Sequence, residues 1–171
     1  DAALTTDGLK SRVALLKAGL QIKKLFSPEH GINKAGADGV FQGDGIDPIT
    51  SLPIVSLYGN NLTISAADLK DIDAVLFDIP DVGCRFYTYL WTMTHVMEAC
   101  EKNSKKFILL DRPNPLGGNL KRAEGPILNE EFCSSFIGRW ALPVTHGCSL
   151  GELANHFWKT RMPKLDCEII K

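Results

Sequence analysis

Short apolar runs recur along this chain, and three of them end abruptly in dense polar clusters. Residues 20–26 lead into Ser27-Pro28-Glu29-His30-Gly31. Ala74-Val75-Leu76-Phe77 leads into Asp78-Ile79-Pro80-Asp81-Val82-Gly83-Cys84-Arg85-Phe86-Tyr87-Thr88-Tyr89. Residues 106–110 lead into Asp111-Arg112-Pro113-Asn114-Pro115-Leu116-Gly117-Gly118. The runs are too short for helices and are bounded by Pro and Gly, so they read as strands. Helical patterns lie between them. Strands that alternate with helices predict an α/β fold, with a mainly parallel sheet, right-handed crossovers and helices on both sides in three layers. Parallel strands put their carboxyl ends on one sheet edge, so the three clusters are expected to meet in one cleft.

The remaining elements follow from local signals. Thr5-Thr6-Asp7 supplies cap-type residues before Leu9, Val13, Leu16 and Leu20, which are spaced for one helical face ending at Gly19. Residues 33–50, rich in Gly, Asp and Ala, read as a long loop with little helix or strand signal. Residues 52–59 form the next apolar run, with Pro53 at a strand start or edge. Ser65-Ala66-Ala67-Asp68 resembles a capping box. An amphipathic helix is expected over 87–102, and a mixed segment over 125–139 with Phe132, Phe136 and Ile137 as packing residues. Residues 142–147 read as extended. Ser149 caps a helix over 150–160, with Glu152 at its third position, and residues 165–170 suggest one more strand.

At 171 residues the chain has the size of one domain. A formal net charge of −1 and the lack of a basic tract argue against nucleic acid and anionic membrane surfaces as partners. No apolar run approaches the roughly 18 residues of a membrane span. The five cysteines are scattered, without a C-x-x-C pair, and read as small buried thiols. Nucleotide-binding glycine loops, a nucleophile elbow and paired-His metal motifs are all absent, so no cofactor and no metal is expected. The chain opens on Asp1 and on a helix that feeds a strand. It therefore reads as a fragment or mature piece whose first strand lies upstream.

The clusters hold the candidate chemistry. Glu29, displayed beside His30 by Pro28 and Gly31, suits a general acid; its structural alternative is a cap on the following turn. Asp78 and Asp81 suit paired carboxylates that share a proton, bind a metal ion or flank a glycosidic bond. Alternatively, Asp78 accepts backbone N–H groups and Asp81 pairs with Arg85. Arg85 equally suits a bidentate carboxylate clamp. Of Tyr87 and Tyr89, one suits stacking on a sugar and the other packing. Asp111 and Arg112 suit substrate contacts or a salt bridge within their turn. Asn114 suits amide recognition or ordinary turn chemistry. His146, before Gly147 and a helix N-terminus, is either structural or placed to meet an anionic group.

Six ordered motifs carry a resemblance over nearly the whole chain. They are Phe26-Ser27-Pro28-Glu29-His30-Gly31, Leu57-Tyr58-Gly59, the 77–89 stretch, Leu110-Asp111-Arg112-Pro113-Asn114-Pro115 with Gly117-Gly118, Glu124-Gly125-Pro126, and His146-Gly147 with Gly151-Glu152-Leu153-Ala154. Together they resemble the bacterial exo-β-N-acetylmuramidases, a family long catalogued as a domain of unknown function. Pro80, Asn33-Lys34 and Cys148-Ser149 depart from its usual pattern. The resemblance implies a Rossmann-like N-terminal domain over residues 1–171, lacking its first strand, and a missing C-terminal domain as its partner. It implies a glycoside hydrolase that releases N-acetylmuramic acid from the non-reducing ends of peptidoglycan fragments, in the periplasm or outside the cell. It carries the catalytic glutamate to Glu29, and the pocket to His30, Asp78, Asp81, Arg85, Tyr87, Tyr89, Asp111, Arg112, Asn114 and His146. The sugar's lactyl carboxylate would meet Arg85 or Arg112, and its acetamido group Asn114. The rival readings are a non-catalytic muropeptide-binding domain, a hydrolase of another class built on the Asp-rich loops, and a fragment inert by itself.

Overall fold

In the structure, a computed structural model, residues 3–32, 43–59 and 61–171 are described. The chain divides into two compact units, residues 1–64 and 65–171.

The first unit opens on a tight turn. Thr5, expected to cap a helix, instead bonds Leu9 from both its backbone and its hydroxyl, and Gly8 makes the reversal at φ 81°. Three residues spent on that turn delay the helix, so α1 spans Ser11–Lys17 behind Lys10, whose side chain makes no cap. The strand expected over 20–26 shrinks to β1, Leu25–Ser27. Its partner fixes that length, since only these residues face β3, Pro53–Ser56, in parallel register from Leu25–Ile54 to Ser27–Ser56. Between them β2, Gly45–Ile46, pairs antiparallel with the other side of β3. A strand here was not expected from the 33–50 composition; residues 33–42 of that loop lie outside the described residues. Pro53 opens β3, as its missing N–H favours. Arg12 and Asp47 form a buried bidentate pair at 2.9 and 3.0 Å, which fastens α1 to the segment after β2.

The second unit carries the larger core. Ser65 caps α2, Ala66–Leu69, by accepting from the Asp68 N–H. β4, Ala74–Phe77, pairs in parallel with β5, Lys106–Leu110, and β5 with β6, Cys167–Ile170. The sheet order is β4-β5-β6, all parallel. The α/β class thus holds, with its strands divided between two three-stranded sheets. Val75 and Phe77 alternate with half-buried neighbours, as do Phe107 and Leu109, so one face of this sheet is sealed.

α3, Thr88–Lys102, packs on β4 and β5. The expected amphipathic helix proves buried almost all round, from Thr88 through Met97 to Cys100. Its threonines tolerate this by returning their hydroxyls to backbone carbonyls, Thr92 to Thr88 and Thr94 to Trp91. α4, Glu130–Cys133, is a single turn capped by Asn129. α5, Leu150–Arg161, packs on α3 and β6 and starts with the capping box expected at Ser149 and Glu152. Trp91, Trp140 and Phe157 form an aromatic cluster, with Trp140 and Phe157 edge-on at 4.6 Å. The guanidinium groups of Arg139 and Arg161 both lie over Trp140, at 4.6 and 4.5 Å. Trp140 is thus the segment's anchor, and the expected packing residues Phe132 and Ile137 are exposed at 78% and 56%. They sit on the one-turn helix and in the tight 135–138 turn, outside the layer that the longer elements close.

Candidate functional site

Glu29 follows the carboxyl end of β1. The Gly31 N–H closes a turn onto the Pro28 carbonyl at 3.1 Å, and His30 takes a left-handed φ of 71° within it. Pro28 removes the N–H that would continue the ladder, so the chain leaves the sheet and Glu29 is half-buried on the turn. Tyr58 stands after the end of neighbouring β3, and its hydroxyl donates to the Glu29 carboxylate. Burial first, then that bond and the carboxylate charge, push the phenol above its usual ionisation range.

In the second unit the structure joins the clusters after β4 and β5. Arg112 donates to both oxygens of Asp78, at 2.6 and 3.0 Å, and Asp78 is buried under this fork. Asp111 does not pair with Arg112 within its own turn. It reaches the N-terminus of α5 instead, accepting from the Ser149 hydroxyl at 2.7 Å and the Gly151 N–H at 2.8 Å. Asn114 is buried; its amide donates to the Cys148 carbonyl and accepts from the Leu116 N–H. Gly83 runs so close beneath it that a Cβ there would lie 2.5 Å from Asn114 Oδ1. With φ at 84°, this position requires glycine.

Asp81 pairs with His146 rather than Arg85. His146 Nε2 lies 2.9 Å from Asp81 Oδ2, with both side chains almost wholly buried. The Cys148 N–H donates to His146 Nδ1 at 3.3 Å, which puts the ring proton on Nε2, toward Asp81. That contact has the distance of an ion pair without hydrogen-bond alignment. Asp81 Oδ1 is buried with no hydrogen-bond partner among the described residues, while Oδ2 accepts from the Gly83 N–H.

Arg85 acts as a strut. Its Nη1 donates to the Pro126 and Leu142 carbonyls, its backbone N–H to Val144, and its carbonyl accepts from Trp91 Nε1 at 2.7 Å. The aromatic cluster thereby holds the loop after β4. Tyr89 is buried and Tyr87 half-buried, edge-on at 4.8 Å. Burial, then the Asp81 charge, raise the Tyr87 phenol. Among the described residues no group of three or more His, Cys, Asp or Glu is arranged to hold a metal ion, and no helix is long and apolar enough to cross a membrane.

Sequence reasoning singled out Glu29 but assigned no role to Tyr58. Their meeting follows from the register, since each residue stands two beyond the last pair of β1 and β3, and the sequence carries no signal for that register. The role of Gly151 carried no local signal, because its partner lies 40 residues away.

These features define an α/β protein that gathers its polar side chains at the carboxyl ends of parallel strands. The chain belongs to the family described as exo-beta-N-acetylmuramidase NamZ, N-terminal, which matches residues 1–171. It is 44% identical over 165 residues to the peptidoglycan beta-N-acetylmuramidase NamZ of Bacillus subtilis (strain 168), covering 95% of this chain and 39% of that protein. Two crystal structures of DUF1343 family proteins from Bacteroides fragilis NCTC 9343 share the fold. One has a TM-score of 0.88 at 34% identity, covering 99% of this chain and 42% of its own. The other has 0.78 at 36%, covering 97% and 43%. The chain thus spans about two fifths of the length of the relatives it matches.

Proposed function

We propose that this chain is the N-terminal part of a glycoside hydrolase that releases N-acetylmuramic acid from the non-reducing ends of peptidoglycan fragments. The observation that carries this reading is the match along the whole chain to the family and to the B. subtilis muramidase. The chemistry falls at the carboxyl ends of the strands. Glu29 protonates the glycosidic oxygen as the bond to C1 breaks. The Asp78 oxygens are both held by Arg112, and Asp81 is buried against His146. We therefore assign the second role to the substrate's own acetamido oxygen and give the two aspartates the task of holding the loops. Such a substrate places the activity in the periplasm or outside a bacterial cell, and the further length of the relatives supplies the domain that completes the enzyme.

The experiment is turnover of a chromogenic N-acetylmuramic acid β-glycoside, by this chain and by the chain extended to the length of its relatives. Chromophore release by the extended chain, abolished by Glu29→Gln without loss of fold, is the expected result. Full turnover by Glu29→Gln removes Glu29 from the acid role. The limited span of the chain favours a second reading for it in isolation, muropeptide binding without turnover. Binding of N-acetylmuramic acid with no release from either form would establish that reading in place of the first.

A further inference from the structure

The β1–β3 pair ends in a fixed geometry. Ser27 and Ser56 are the last residues in register, and the Leu57 N–H extends the ladder by one bond to the Ser27 carbonyl at 2.7 Å. Ser27, Ser56 and Leu57 are buried. Glu29 and Tyr58 each lie two residues past that last pair, one on each strand, and both are half-buried. Immediately beyond them the chain turns away through left-handed residues, His30 and Gly31 on one side and Gly59 at φ 78° on the other. The distance between the two side chains is therefore set by the sheet itself. Tyr58 brings only two side-chain torsions to the contact, so its hydroxyl is held with little entropic freedom.

We propose that Tyr58 is a positioning residue for Glu29, its phenolic O–H donating to one carboxyl oxygen and reserving the other for the proton given to substrate. This rests on the reading of Glu29 as the acid. The O–H bond of the second oxygen breaks as the C1–O bond of the substrate breaks. The bond's electron pair leaves on the glycosidic oxygen, which takes the proton, and the sugar is captured at C1 by its own acetamido oxygen. Water then adds to C1 as the C1–acetamido oxygen bond breaks and its electron pair returns to that oxygen, and the proton released by the water returns to Glu29. Tyr58 keeps its own proton throughout and stabilises the carboxylate between the two stages. The upward push on the phenol by burial and by Glu29 suits that task.

Two measurements test this. In the isolated chain, NMR of ring-labelled tyrosine follows the ionisation of Tyr58. Glu29→Gln, which removes the carboxylate charge, is expected to lower its midpoint; an unmoved midpoint overturns the contact. In the chain extended to the length of its relatives, Tyr58→Phe is expected to lower kcat by about tenfold or more, with KM changed less than about twofold and the melting temperature preserved. An unchanged kcat, or a rise in KM alone, overturns the positioning role. Loss of turnover in Glu29→Gln alongside an unaffected Tyr58→Phe sinks this inference and leaves the acid reading intact. Retained turnover in Glu29→Gln sinks the acid reading itself, whatever the NMR shows.

Discussion

Arg112 grips Asp78 through both carboxylate oxygens, at 2.6 and 3.0 Å, and so locks the loop after β4 to the loop after β5. A guanidinium fork that donates to both carboxylate oxygens makes this pair stronger than a single contact. Asp78→Asn keeps the shape but removes the charge, and should cost about 1.5–3 kcal/mol of unfolding free energy. Arg112→Lys should lose part of that, because an ammonium cannot span both oxygens. Urea titration of the variants checks this; midpoints equal to the parent's would show that the fork contributes nothing.

Asp111 and Gly151 are in contact so close that no side chain fits between them. A Cβ on Gly151 would lie 2.5 Å from Asp111 Cγ and Oδ2. Gly151→Ala should therefore destabilise by about 1–3 kcal/mol, and Asp111→Ala by about 1–2 kcal/mol through loss of the bonds it accepts from the Ser149 hydroxyl and the Gly151 N–H. Together they should cost less than the sum, since removing the carboxylate makes room for the methyl group. Strict additivity in a double-mutant cycle would contradict the contact.

Asp47 supplies a pH dependence with a definite sign. Its hydrogen bond from Arg12 outweighs burial and holds its carboxyl down at about 2, against an ordinary value of 3.8. A carboxyl depressed by folding stabilises the native state above its unfolded pKa, and that contribution fades as pH falls through the folded one. The pair, together with the bonds that Thr50 donates to the same carboxylate, should be worth on the order of 2 kcal/mol near neutrality. The stability gap between the parent and Asp47→Asn should narrow as pH drops from about 4 toward 2. A gap that stays constant across this range, in denaturation at each pH, would rule out the pair as its source.

The thiols should differ widely in reactivity. Burial pushes Cys100 up to about 12 and Cys167 up to about 11, whereas Cys133 is exposed on α4. Only the thiolate reacts, so iodoacetamide at pH 8 should modify Cys133 first and leave Cys100 protected until the chain unfolds. Peptide mass spectrometry over a labelling time course reads this directly, and equal rates at Cys100 and Cys133 would refute the burial.

Local elements were legible because their causes are local. The capping box at Ser149 and Glu152, the strand over 106–110, the long helix after Tyr87 and the final strand all follow from residues within a few positions of one another. The short strand Gly45–Ile46 and the truncated β1 were not legible, since their bounds depend on which residues face β3. Phe132 and Ile137 misled because hydrophobicity alone does not say which segment lies under the helices. Trp140, with two arginines across its ring, took that place.

The same division runs through the polar clusters. The sequence by itself determined that carboxylates, tyrosines and a histidine follow apolar strands, and that Glu29 stands on a turn made by Pro28 and Gly31. The choice of partners belonged to the tertiary structure. Asp111 passes over its neighbour Arg112 for α5, Arg112 crosses to Asp78, Asp81 meets His146, and Glu29 meets Tyr58. An ion pair or hydrogen bond forms over about 3 Å. Which groups come within that distance depends on strand order and register, and no local run of residues encodes either one.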